Sequence, residues 1–169
     1  MMNVRDEIAA SYSANQTQSY VDSEDAIIQQ ALEILDRRMS ERFEPVSFTS
    51  PQAIKQHAKL KLGMLEHEEF HVYFLNNQHR LIKAEKMFTG TIDGAAVYPR
   101  EIVKRALQLN AAALILVHNH PSGVREASQS DIAITKRIKE AVGTVDIRVL
   151  DHIIVASDEP VSFAERGLL

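Results

Sequence analysis

Residues 118–123 read His-Asn-His-Pro-Ser-Gly, and seven residues separate His120 from a Ser-Gln-Ser-Asp segment at 128–131. Side chains alternate along a strand, so His118 and His120 point to one side and Asn119 to the other. Two imidazoles on one side can share a metal ion. Pro121 and Gly123 break the strand directly after them, and a short loop lets Ser128 cap a helix whose first turn carries Asp131, close to the strand end. Two histidines and one carboxylate form an open three-ligand site that leaves a fourth position for water, as a catalytic zinc requires. Taken singly, Ser-x-x-Asp is a capping-box pattern and a buried histidine is usually a hydrogen-bonded core residue. No ordinary structural role accounts for all the parts together, and capping by Ser128 is compatible with a catalytic role.

Composition narrows the chemistry. The 169 residues contain no cysteine, which excludes a disulfide scaffold, a thiolate nucleophile and every cysteine-ligated zinc site. Seven histidines and 23 carboxylates remain, so a transition metal here takes nitrogen and oxygen ligands. The net charge of -4 and pI near 6.0 give no electrostatic footprint for nucleic acid. Residues 1–30 carry Arg5 against five acidic residues, whereas residues 31–169 carry 18 of each sign. No apolar run reaches the roughly 18 residues of a membrane span, and the start MMNVRDEIAA lacks the pattern of a secretory signal. The expected setting is the cytoplasm, with no membrane partner.

The elements that position these residues follow from periodicity. Residues 11–22 are polar, and 1–22 read as a flexible, acidic arm. Ser23 or Asp22 caps a helix with an apolar stripe at Ile27, Ile28, Ala31, Leu32, Leu35 and Met39, ending near Glu44-Pro45. That amphipathic extension, 23–45, offers a surface for its own domain or for a second copy of the chain. Ser50-Pro51 starts a second helix, and Gly63 ends it. A strand over Glu68–Leu75 turns at Asn76-Asn77-Gln78 into Arg80–Phe88, a hairpin. Pro99 opens a helix with a narrow apolar face at Ile102, Val103, Ala106 and Leu107; Arg100 and Glu101 form its first turn. The run AAALILVHNH at 111–120 reads as a strand buried on both faces. A helix over Asp131–Val142 and two strands, Asp146–Leu150 and His152–Ala156, complete a mixed-sheet α/β domain. It has no dinucleotide or P-loop fingerprint.

HNHPSG followed by SQSD resembles the His-x-His, seven residues, Ser-x-x-Asp pattern of the JAMM (MPN+) metalloproteases. With EEFHVYFLN, Gly90-Thr91, YPREIVKRAL, LDHIIV and the closing VSFAERGLL, residues 46–169 look like the RadC-type branch of that family. The resemblance implies a mixed β-sheet flanked by helices, related in architecture to cytidine deaminases. It further implies Zn2+ held by His118, His120 and Asp131, an oxyanion-stabilising role for Ser128, and hydrolysis of amide bonds in a peptide or protein substrate. The family also needs an upstream glutamate as general base, and Glu66, Glu68 and Glu69 all stand in the right region. Glu68 is in phase with Phe70, Val72 and Phe74, the more hydrophobic side, while Glu69 goes with His71 and Tyr73; this parity favours Glu68. Without the ligand motif, all three read as surface charges.

Two further readings accompany the resemblance: a DNA repair or recombination accessory protein, and a non-catalytic MPN scaffold. The neutral body argues against the first, and the intact ligand set against the second. Residues 1–45 show no counterpart of the helix-hairpin-helix region of longer RadC relatives. Where those relatives have Pro-Ser, this chain has Ala127-Ser128, which implies a freer loop at 124–127. Asp151-His152 is a candidate supporting or substrate-facing pair, Ser122 a turn residue, and Asn119 an anchor from the opposite side of the strand. His57, His67, His71 and His79 lack ligand spacing and read as surface or core residues.

Overall fold

The computed structural model describes residues 24–35, 51–90 and 96–169. The arm 1–22, the cap at Ser23, the end of the first helix beyond Leu35, Ser50 and Thr91 lie outside the described residues. Helix α1, residues 24–35, belongs to a unit ending at Leu35, and a second unit begins at Asp36. The second unit contains α2 (Pro51–Leu62), β1 (Glu69–Leu75), β2 (Leu81–Thr89), α3 (Pro99–Gln108), β3 (Ala113–Asn119), α4 (Gln129–Gly143), β4 (Arg148–Val155) and β5 (Val161–Ser162). Among the described residues, no helix is long and apolar enough to cross a membrane.

The strands form one sheet in the order β2-β1-β3-β4-β5. Only β3 and β4 are parallel, joined through α4; the other neighbours are antiparallel. This is the mixed sheet flanked by helices that the resemblance implies. Every residue of β1 and β3 is buried, because both faces of the sheet are covered. Alternation assigns the faces. Phe70, Val72, Phe74, Leu114, Leu116 and Val149 pack with Ile102 and Ala106 of α3 and with Ile138 and Val142 of α4. On the other face Tyr73 meets α2, its hydroxyl 2.6 Å from His57 Nδ1.

Turn chemistry agrees with the sequence at several points. The hairpin closes where Asn76 Oδ1 accepts from the N–H groups of Gln78 and Arg80. Helix α2 ends at Gly63, where a Cβ would stand 2.6 Å from the Lys59 carbonyl oxygen. Pro99 opens α3, but Leu107 is exposed, so the buried face of that helix is narrower than expected, Ile102 and Ala106 alone.

The sheet departs from the sequence reading at β4. The two expected strands are one continuous strand, whose pairing to β3 steps from Leu114↔Val149 to Ile115↔Asp151 and leaves Leu150 as a bulge. An extra residue shifts every later side chain to the other face. His152 therefore lies beside Leu116 on the α4 side, and Asp151 faces the α2 side.

Candidate metal centre

His118 stands near the end of β3, and His120 just beyond it, held where its N–H donates to the Val155 carbonyl at 2.8 Å. The chain turns at once: Gly123 N–H donates to the His120 carbonyl at 2.9 Å, and the φ of +77° at Gly123 is open to glycine with little strain. Helix α4 begins with the expected capping box. Ser128 Oγ accepts from the Asp131 N–H at 3.1 Å, and Asp131 Oδ2 accepts from the Ser128 N–H at 2.7 Å. Strand end and helix start thus bring three side chains to one point. His118 Nε2 is 2.9 Å from His120 Nε2 and 3.2 Å from Asp131 Oδ1, and His120 Nε2 is 3.4 Å from Asp131 Oδ2. Among the described residues these three are the one group of histidines and carboxylates close enough to share an ion.

Hydrogen bonds orient the imidazoles there. The Thr135 hydroxyl donates its single proton to the Asp131 carbonyl, at 2.5 Å, so it can only accept from His152 Nδ1, at 2.6 Å. Burial pushes the His152 imidazole well below its ordinary range, with the nearby His118 adding to the effect, so the ring is neutral. With its proton on Nδ1, His152 Nε2 is a bare acceptor, and His118 Nδ1, 2.8 Å away, must donate to it. His118 Nε2 is then the ring nitrogen that faces the site. The same holds for His120, whose Nδ1 donates to the Val124 carbonyl at 2.7 Å and leaves Nε2 toward Asp131. Two ring nitrogens, each on an imidazole tied outward through its other nitrogen, converge with a carboxylate on one point, a donor set for a cation that displaces any proton they share, and this set fits zinc.

Electrostatics agree. Burial by itself raises the Asp131 carboxyl, but its bonds with His118, His120 and Ser128 outweigh that and hold it well below the ordinary carboxylate range. Asp131 raises the His120 imidazole against the opposing effect of burial, with smaller contributions from the Val124 carbonyl and the charge of Glu68. The site favours positive charge. Phe70 stacks against His118 with ring centroids 6.0 Å apart, and Phe163 contacts His152 at 4.7 Å, so both imidazoles are packed as well as bonded.

The three glutamates separate clearly. Glu66 is exposed, Glu68 is half-buried just before β1, and Glu69 is buried. Glu68 lines an open cleft of about 690 Å³ together with His120, Ser128 and Asp131. Glu69 points to the α2 side, where His71, Lys86 and His67 bond its carboxylate; burial alone raises it, but those bonds push it down to about 2. Asn119, on the opposite side of β3 from the histidines, clamps this segment. Its Oδ1 accepts from the Glu69 N–H at 2.8 Å and its Nδ2 donates to the His67 carbonyl at 2.9 Å, bracketing Glu68. Ser128 faces the same cleft, and because its Oγ is the acceptor in the cap, its O–H remains able to donate.

Some contributors escaped sequence reasoning. Thr135 orients His152, and the signal for it was its place one helical turn after Asp131. His152 supports His118 from behind and does not line the cleft. Asp151 takes a different part: it accepts from Ser162 Oγ and the Ala164 N–H and ties the C-terminal turn to β4. The loop after the ligands is less free than expected at its start, since Val124 is bound by His120 and its N–H meets Ser122 Oγ at 3.4 Å. His67 and His71 partner Glu69, and His79 Nε2 lies 3.1 Å from an Arg148 nitrogen.

Comparison with known proteins agrees with this centre. A family model described as RadC-like JAB domain matches residues 48–168. A UPF0758 protein of Methylibium petroleiphilum is 56% identical over 140 residues, which is 82% of this chain and 63% of the relative. One from Aliivibrio fischeri is 54% identical over 143 residues, 84% of this chain and 64% of the relative. One from Vibrio vulnificus is 56% identical over 141 residues, 83% of this chain and 63% of the relative. The chain therefore spans a little under two thirds of the length of these relatives.

Proposed function

Because this chain belongs to the RadC-like JAB domain family, we propose that it is a zinc-dependent hydrolase of amide bonds, acting on a peptide or protein substrate. One observation carries the reading: the Nε2 atoms of His118 and His120 and the Asp131 carboxylate converge at a cleft that Glu68 and Ser128 also line.

His118, His120 and Asp131 would hold a zinc ion, which would supply Lewis acidity and a water nucleophile near neutral pH. Glu68 accepts the proton of the attacking water and later delivers it to the leaving amine. The Asn119 clamp holds the backbone on both sides of Glu68, which limits where that carboxylate reaches. Ser128 donates to the oxyanion that develops on the carbonyl oxygen, and its position is set by the cap of α4.

Metal analysis of the chain purified without chelator tests the proposal. About one zinc per chain is expected, falling in His118→Ala and in Asp131→Asn. A chain that takes up no zinc on reconstitution refutes it. Glu68→Gln, which keeps the ligands, is the variant with which to trap a substrate from cells.

A further inference from the structure

The cleft does not stop at the metal centre. Ser130, Ala133, Ile134 and Arg137 of α4 line it, and their spacing puts them along one face of the helix. Ala141 and Thr144 extend the same stripe into an adjoining groove, which shares Arg137 and Tyr98 with the cleft. Tyr98, exposed and with its ring 6.1 Å from that of Phe88, forms part of the facing wall. From Ser130 to Thr144 the stripe spans about 20 Å at 1.5 Å per residue. That is room for about six residues of extended peptide.

Charge along this groove is uneven. Among the described residues that line the cleft, Arg137 is the one lysine or arginine, set against Glu68 and Asp131. It is exposed, and among the described residues no hydrogen bond or ion pair engages it, not even with Glu140 one turn farther on. Arg100, by contrast, lies 3.3 Å from Glu101. Arg137 follows the ligand Asp131 by six residues, about 9 Å along the helix. An extended chain covers that distance in about three residues.

We propose that the α4 groove binds an extended peptide and that Arg137 selects an acidic side chain about three residues from the scissile amide. The inference rests on the hydrolase reading, since the metal centre sets the position of the scissile bond. A guanidinium with no internal partner can form a two-pronged contact with a carboxylate, whereas a lysine side chain on the substrate meets like charge.

Calorimetric titration of the full, zinc-loaded chain with phosphinic peptides, in which a phosphinate replaces the scissile amide, tests this. Glu, Gln or Lys is placed three residues away on one side or the other. On one of the two sides the Glu probe is expected to bind about tenfold more tightly than the Gln probe, and less so as salt is raised. Arg137→Gln brings that ratio to about one, Arg137→Glu turns the preference to Lys, and Arg100→Gln leaves the ratio as it is. A Glu-to-Gln ratio near one on both sides, or a preference that survives Arg137→Gln, overturns the inference while zinc-dependent binding leaves the hydrolase reading standing. Probes that bind no better with zinc than without it overturn the hydrolase reading, and the inference falls with it.

Discussion

Thr135→Val removes one oxygen, keeps the side chain's shape, and touches none of the three ligands. The Thr135 hydroxyl accepts from His152 in the chain that starts at His118 and passes its own proton to the Asp131 carbonyl, and Thr135 is 2% exposed. In the variant His152 Nδ1–H faces a methyl group, a buried unpartnered donor that costs about 1–3 kcal/mol. The metal-free protein escapes the upper part of that cost by moving the proton of His152 to Nε2. His118 Nδ1 must then accept, and its own proton moves to Nε2, the atom that faces the metal. Zinc binding has to reverse both shifts, so affinity should fall about 10- to 100-fold, in the range seen when a ligand histidine loses its supporting partner. Metal-free stability should fall by only about 1 kcal/mol. Chelator competition measures the first quantity, urea denaturation of the metal-free chain the second, and nitrogen NMR shifts of the two imidazoles report the tautomers. Thr135→Ser should restore all three. Unchanged zinc affinity in Thr135→Val, or a His118 proton on Nδ1 in the metal-free variant, would show that the hydrogen-bonded chain does not set the ligand.

Other expectations follow from the same geometry. Glu68→Gln should retain zinc and lose at least about 100-fold in kcat on any cleaved peptide; full turnover in that variant removes Glu68 as the base. Ser128→Ala removes both the cap and the oxyanion donor, so about 1 kcal/mol of stability and about 100-fold or more in kcat should go together. Adding back the cap alone with Ser128→Asp should recover stability without turnover, and recovery of both would contradict the oxyanion role. Glu69 is depressed from 4.5 to about 2 in the folded chain, so it stabilises the fold above its unfolded value and that contribution is lost as pH falls from about 4.5 toward 2. Urea denaturation across this window should show Glu69→Gln less stable than the parent near neutrality and converging with it in acid; a constant gap would mean that Glu69 is not held ionised by His71, Lys86 and His67.

Much of the centre was legible because its residues are close in sequence and sit on regular elements. His118 and His120 share a side by strand alternation, and Asp131 reaches them because a helix cap starts three residues earlier at Ser128. The hairpin, α2, the Pro99 helix and the doubly buried strand were readable for the same local reasons. Glu68 was separable from Glu69 by parity, since a one-residue step on a strand changes the face, and the buried network around Glu69 shows how different the two faces are. The supporting contacts were not readable. His152 and His118 are 34 residues apart and Asn119 and Glu69 are 50 apart, and no local rule links residues at that separation.

The sequence by itself determined the donor types on offer and their spacing: without cysteine and with His-x-His before a capped helix, a metal here would meet two imidazoles and a carboxylate. Only the tertiary structure decided which nitrogen of each imidazole faces the candidate site. That choice depends on the bulge at Leu150. Regular alternation along β4 places His152 opposite to Val149, on the α2 side, where it cannot reach His118. One unpaired residue reverses the face, brings His152 between His118 and Thr135, and so turns His118 Nε2 toward Asp131. A bulge is a property of the pairing between two strands rather than of either strand alone, and it becomes visible only when β3 and β4 lie side by side.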